Sequence, residues 1–180
     1  MMQFSTMTPP VMTEAEAVSL VQSGQRVYIG GGCGVPTLLL HALIAQAPVL
    51  RDVEIIHMLT AGEDSTTAPQ YQAAFRHNAL FVGANVRAAV HEGRADFTPI
   101  FLSEIPRLFR SGQLPIDVAM IQVSPPDLHG FCSLGVEVGC TLPAARTLSV
   151  RRRRRCWQGR PTALSWQPTA RSPTRPPGSR

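Results

Sequence analysis

The spacing of apolar residues changes between helical and strand periods several times from position 13 to position 123. Thr13 and Glu16 stand at the T-x-x-E spacing of a capping box, in which each side chain satisfies an orphan amide at a helix start, and Gly24 stands where a helix-ending glycine belongs. This predicts a helix over 14–23. Residues 26–29 then read as a short strand and 37–45 as a helix, with Pro36 suited to its first turn. The apolar runs 53–58, 80–82 and 118–123 read as buried strands, with helices near 86–91 (Gly93 as the stop) and near 103–109. Strands alternating with helices predict an α/β fold, a mostly parallel sheet with helices on both faces, and no internal repeat is visible.

Candidate chemistry gathers where two of these strands end. The 118–123 run stops at Ser124-Pro125-Pro126-Asp127-Leu128-His129 and resumes through Gly130-Phe131-Cys132-Ser133-Leu134-Gly135, a layout in which a buried strand delivers polar groups and permissive glycines to a sheet edge. Ser124, Asp127 and His129 are the elements of a nucleophilic triad, yet triad members must converge in space, which six consecutive residues rarely do. Asp127 reads instead as an Asx-type turn former that accepts amides two residues on. For His129, contact with substrate and capping of the loop both stay open. Cys132 reads as a small buried side chain, and Gly130 and Gly135 as backbone requirements. The second candidate is the turn Gly30, Gly31, Gly32, Cys33, Gly34 before Pro36, where backbone can approach a ligand and a helix start can face an anion. It matches neither G-x-G-x-x-G nor a P-loop, and a tight turn without a ligand stays open. Arg87 can fork onto a carboxylate or phosphate, or pair on the surface with Glu92 or Asp96. His41, His57, His77 and His91 lack the spacing of a metal site and read as structural.

Charge divides the chain. Residues 1–137 hold all 12 acids and 7 of the 17 arginines, whereas 138–180 hold 10 arginines and no acid, so the net +5 describes neither part. An Arg-, Pro- and Ser-rich tail in a chain without lysine is what a GC-rich gene yields when read out of frame. That reading is favoured over a purposeful basic tail binding nucleic acid or an anionic surface, and a non-catalytic fragment is a further alternative. The expected organisation is one domain over 1–148 and a disordered tail over 149–180. No apolar stretch approaches the ~20 residues of a membrane span, and the N-terminus lacks the features of a signal peptide, which predicts a cytoplasmic protein. Cys33, Cys132, Cys140 and Cys156 form no C-x-x-C pair, so reduced thiols are expected and neither a disulfide framework nor a zinc site.

Several segments together resemble the N-terminal domain of the acetyl-CoA hydrolase/transferase family, which includes 4-hydroxybutyrate and acetate CoA-transferases. The segments are 13–18, the turn from Gly30 to Pro36, Arg87 with Gly93, Asp96 and Pro99, then Leu114-Pro115-Ile116-Asp117 and the run from Ser124 to Gly135. The resemblance implies a coenzyme A thioester as substrate, a small carboxylic acid as its partner, and no tightly bound cofactor, metal or flavin. It implies that Gly30, Gly31, Gly32, Gly34 and Pro36 line an acyl pocket where the turn's amides stabilise oxyanions, with Arg87, Ser124, Pro125, Asp127, His129, Gly130, Ser133 and Gly135 completing the substrate pocket. It also implies that the attacking glutamate lies in a second domain, so that no catalytic residue is expected within this chain. Assembly into a homo-oligomer stays open; a membrane or a specific nucleic acid is not an expected partner. Because the region beyond 150 has too few aliphatics to offset its conformational entropy, trypsin is expected to cut within the arginine run 151–155 before any other site. An arginine run that outlasts the sites of the first 148 residues contradicts this expectation.

Overall fold

The computed structural model describes residues 2–3, 12–61, 65–129 and 131–154, with side chains placed over 12–148 of these. The chain alternates strand and helix: β1 (Met2–Gln3), α1 (Glu14–Val18), β2 (Arg26–Ile29), α2 (Thr37–Ala45), β3 (Val53–His57), β4 (Phe75–Ala79), α3 (Ala84–His91), β5 (Ala95–Phe97), α4 (Ile105–Ser111), β6 (Val118–Met120), β7 (Phe131–Cys132) and α5 (Thr141–Arg154). Five strands form one sheet in the order β5-β4-β3-β2-β6, every neighbouring pair parallel. The two remaining strands, β1 and β7, pair antiparallel as a separate ribbon.

Alternation along each strand divides the core in two. Val27 and Ile29 of β2, with Val53 and Ile55 of β3, face Ala17 and Val18 of α1 and Leu39 and Leu43 of α2. Tyr28 and Ile56 point the other way, onto Ile105 and Phe109 of α4 and Ala144 and Ala145 of α5. Helices therefore cover both faces, as expected for strands buried on two sides. The Tyr28 and Phe109 rings meet edge to face, centroids 5.6 Å apart, and neither is exposed. On the first face the buried His57 and His77 rings also stack edge to face, at 5.3 Å, and Thr66 Oγ1 lies 2.8 Å from His77 Nε2.

Several boundaries differ from the sequence reading, each for a tertiary reason. The Thr13–Glu16 capping box forms, but α1 stops at Val18. Gly24, at φ +76°, serves the turn into β2, where its amide bonds the Arg51 carbonyl. The strand expected over 80–82 lies at Phe75–Ala79. Its polar positions are held by cross-strand partners, Asn78 Nδ2 donating to Glu54 Oε1 at 2.9 Å and Thr98 Oγ1 donating to Asn78 Oδ1 at 2.7 Å, while Arg76 pairs with Asp96. Helix α5 runs from Thr141 to Arg154, and of the tail expected over 149–180 residues 155–180 lie outside those described.

Phe109 closes the second face of the sheet, so Phe109→Ala is expected to cost about 3–5 kcal/mol through lost burial and the cavity left behind. Urea denaturation measures this; a loss below about 1 kcal/mol would mean that α4 is not part of the cooperative core.

Candidate active site at the carboxyl edge

Of the five strands of this sheet β2 comes first in the chain but lies between β3 and β6 in space, so the connections leaving β2 and β3 diverge from the one leaving β6. Such a switch point, at the carboxyl ends of parallel strands, is where open α/β sheets hold ligands. Both sequence candidates arise here: the glycine turn leaves β2 and the 124–135 loop follows β6. Residues after β3 and β4 join them, through Leu59, Thr60 and Gly83.

The turn is glycine-rich because neighbouring backbone comes too close for side chains. A Cβ on Gly31 would lie 2.6 Å from the Leu59 carbonyl oxygen, and Gly32 adopts φ +53°. The Gly30 amide donates to the Met120 carbonyl at 2.9 Å, that of Gly32 to Leu59 at 2.6 Å and that of Gly34 to Gly31 at 2.9 Å. Those three amides are bonded to backbone carbonyls. Pro36 is buried and stands at the N-cap of α2 rather than inside its first turn.

The 124–135 loop is held by its own polar groups. Ser124 and Ser133 pair through the Ser124 amide and the Ser133 carbonyl at 2.8 Å, and the Ser133 amide donates to Ser124 Oγ at 2.9 Å. Asp127 Oδ1 accepts the amides of His129 and Phe131, each at 2.9 Å, forming the Asx-type turn. The Phe131 amide, and after it that of His129, hold the Asp127 carboxyl below its usual range. The Ser133 hydroxyl accepts the Gly135 amide at 3.1 Å, and Gly135 has φ +61°. Ser124 Oγ, which also donates to the Pro125 carbonyl at 3.0 Å, and Asp127 are thus occupied in building the loop, and they form no triad with His129. Pro125 and His129 are exposed, Leu128 fully so, and Gly130 lies outside the described residues. Arg87 sits on the exposed side of α3 and makes no ion pair among the described residues. Its expected surface partners are taken, Glu92 by Arg94 and Asp96 by Arg76.

What the sequence reading missed is Glu137. Its Cβ lies 2.7 Å from where a Gly34 Cβ would be, and its Oε2 lies 3.1 Å from the corresponding point on Gly32. Thr141 Oγ1 donates to Glu137 Oε1 at 3.4 Å and lies 3.1 Å from the Tyr28 hydroxyl, which burial pushes far above its usual ionisation range. A lone acid between Gly135 and Gly139, flanked by two valines, was the available signal. Beneath it the buried Cys140 thiol is pushed up to about 11, first by burial and then by the Glu137 charge, while Cys132 is raised by burial with a contribution from Asp127. Cys33 is exposed. Among the described residues no three His, Cys, Asp or Glu side chains group to hold a metal, and no helix is long and apolar enough to cross a membrane.

A parallel sheet with helices on both faces and a loop-lined switch point defines an α/β domain laid out to hold a ligand at its carboxyl edge. The acetyl-CoA hydrolase/transferase N-terminal domain matches residues 3–149, and the chain belongs to this family. It is 44% identical over 137 residues to the 4-hydroxybutyrate coenzyme A transferase of Clostridium kluyveri, a match covering 76% of this chain and 32% of that protein. It is also 44% identical over 131 residues to a succinyl-CoA:acetate/propanoyl-CoA:succinate CoA transferase of Fasciola hepatica, covering 72% of this chain and 27% of that one. Among solved structures it resembles RipA from Yersinia pestis, with TM-score 0.63, 29% identity and coverage of 70% and 32%. A 4-hydroxybutyrate CoA-transferase from Porphyromonas gingivalis gives TM-score 0.61 and 29% identity, with coverage of 76% and 30%. The chain thus spans about a third of the length of the relatives it matches.

The thiols supply a test of the packing at this edge. A buried thiol that ionises only near pH 11 adds stability in full below its unfolded value of 9.0 and loses it as pH rises through that interval. Stability is therefore expected to fall above about pH 9, with Cys140→Ala reducing the fall; a flat profile there would contradict the burial of Cys140.

Proposed function

We propose that this chain is the N-terminal half of an enzyme that moves CoA between an acyl-CoA and a small carboxylic acid. The observation that carries the reading is that the glycine turn and the 124–135 loop leave the carboxyl ends of the adjacent strands β2 and β6, at one switch point, in a chain of this family. Catalysis is covalent. A glutamate carboxylate outside the matched third attacks the acyl carbonyl and releases CoA thiolate, leaving a mixed anhydride. The thiolate then attacks the glutamyl carbonyl, frees the first acid and leaves a glutamyl-CoA thioester. An incoming carboxylate takes the place of the first by the reverse steps.

The residues described here act by shape and position. Gly31 and Gly34 let the turn lie flush against the exit of β3 and against Glu137, giving one wall of the acyl pocket. Asp127, Ser124 and Ser133 brace the loop that forms the adjoining wall, where Pro125, His129, Gly130 and Gly135 meet substrate and Arg87 completes the rim. The protein works in the cytoplasm, and the second domain closes the cleft.

On this reading the chain alone transfers no CoA from acetyl-CoA to carboxylic acids, and joining it to the C-terminal domain of a family member restores transfer. In that chimera Asp127→Ala is expected to lower the rate roughly tenfold or more through loss of positioning. The thermal midpoint should stay nearly unchanged, because the loop is exposed. Turnover by the purified chain alone, abolished by a substitution within it, would overturn the assignment of the nucleophile. A chimera indifferent to Asp127→Ala would remove the loop from the site.

A further inference from the structure

Glu137 reaches the glycine turn without a counter-ion among the described residues. Its hydrogen bond among the described residues comes from the neutral Thr141 hydroxyl, which also meets the Tyr28 hydroxyl. Residues 28–37, 58–61, 79–86 and 120–141, which converge at this edge, contain no arginine or lysine, and Arg87, assigned above to the rim, stands on the exposed side of α3 and makes no ion pair with Glu137 among the described residues. The described arginine–carboxylate pairs lie elsewhere, Arg26 with Glu54, Arg76 with Asp96 and Arg94 with Glu92. The other acid of the edge, Asp127, is exposed and already accepts two backbone amides through Oδ1. The half-buried Glu137 carboxylate, in no ion pair among the described residues, therefore sets a negative field at Gly32 and Gly34, where partial removal of water weakens screening.

We infer that Glu137 sets the charge selectivity of this pocket, admitting acyl chains with an uncharged far end and rejecting those that end in a second carboxylate. The inference rests on the reading of the turn as an acyl pocket. A chain ending in a methyl group meets apolar backbone edges and the Glu137 methylenes, whereas a chain ending in a carboxylate meets a like charge. Butyryl-CoA and succinyl-CoA separate the two cases, because their acyl chains have the same length and differ only in a terminal methyl or carboxylate.

The test is a titration of the isotope-labelled full chain with each thioester, followed through the backbone amides of Gly31, Gly32, Cys33 and Gly34. Butyryl-CoA is expected to shift these amides at concentrations roughly tenfold below those needed for succinyl-CoA, a factor equivalent to about 1.4 kcal/mol. Glu137→Gln keeps an oxygen for the Thr141 hydroxyl, so it should remove the difference by admitting succinyl-CoA, whereas Glu137→Asp keeps the charge and should preserve it. In the unaltered chain, added salt should narrow the gap, a readout that requires no variant. Equal response to both thioesters, or a gap indifferent to salt and to Glu137→Gln, overturns the selectivity while leaving the pocket intact. Absence of any shift at the turn with either thioester overturns the pocket reading itself.

Discussion

The close approach of the β2 turn to the exit of β3 is the constraint on which the carboxyl edge depends. With the Leu59 carbonyl 2.6 Å from where a Gly31 side chain would begin, only glycine lets β2 and β3 end in register. The Gly32 amide then continues the pairing past the last strand residue by bonding that same carbonyl. On the other side the Gly30 amide bonds Met120, extending the β2–β6 pairing in the same way. The turn is thus an extension of the sheet between two neighbours rather than a free loop. Its stiffness follows from that, and stiffness is what a pocket wall needs if reacting groups are to be held within reach of one another.

A second layer locks the later chain onto this edge. Tyr28, in the middle of β2, is buried between the sheet and α4, and its hydroxyl meets Thr141 at the start of α5. Thr141 in turn donates to Glu137, which rests on Gly34. One strand residue therefore couples the core face of the sheet, the start of the last described helix and the carboxylate at the candidate pocket. The polar chain runs from a buried phenol to a half-buried acid, so each hydroxyl along it has a partner, as buried polar groups require.

How much of this was legible in the sequence depended on range. Helix α2, strand β2 and the glycine turn carry local signals, namely an apolar helical stretch behind Pro36, a short apolar run and adjacent glycines, and they form where expected. Strand β4 was misplaced onto the apolar residues 80–82, because its own Arg76, His77 and Asn78 look polar until Asp96, Thr66 and Glu54 are brought beside them. Strand β5 and the β1–β7 ribbon are short and exist through pairing, which leaves little periodicity to read. The hydrogen-bonding role of Asp127 was legible because an Asx turn is made within a few residues. The place of Glu137 was not, since it meets Gly32 and Gly34 only after the sheet has folded.

The central claim, that this chain builds a pocket wall and leaves covalent chemistry to a glutamate elsewhere, is tested most directly by locating the CoA adduct. The chain and a complementing C-terminal domain are incubated with acetyl-CoA, the glutamyl thioester is trapped by reduction, and the modified residue is found by peptide mass spectrometry. The account predicts modification of a glutamate in the complementing domain and none on this chain. Modification of Glu137 or Cys132 would contradict it.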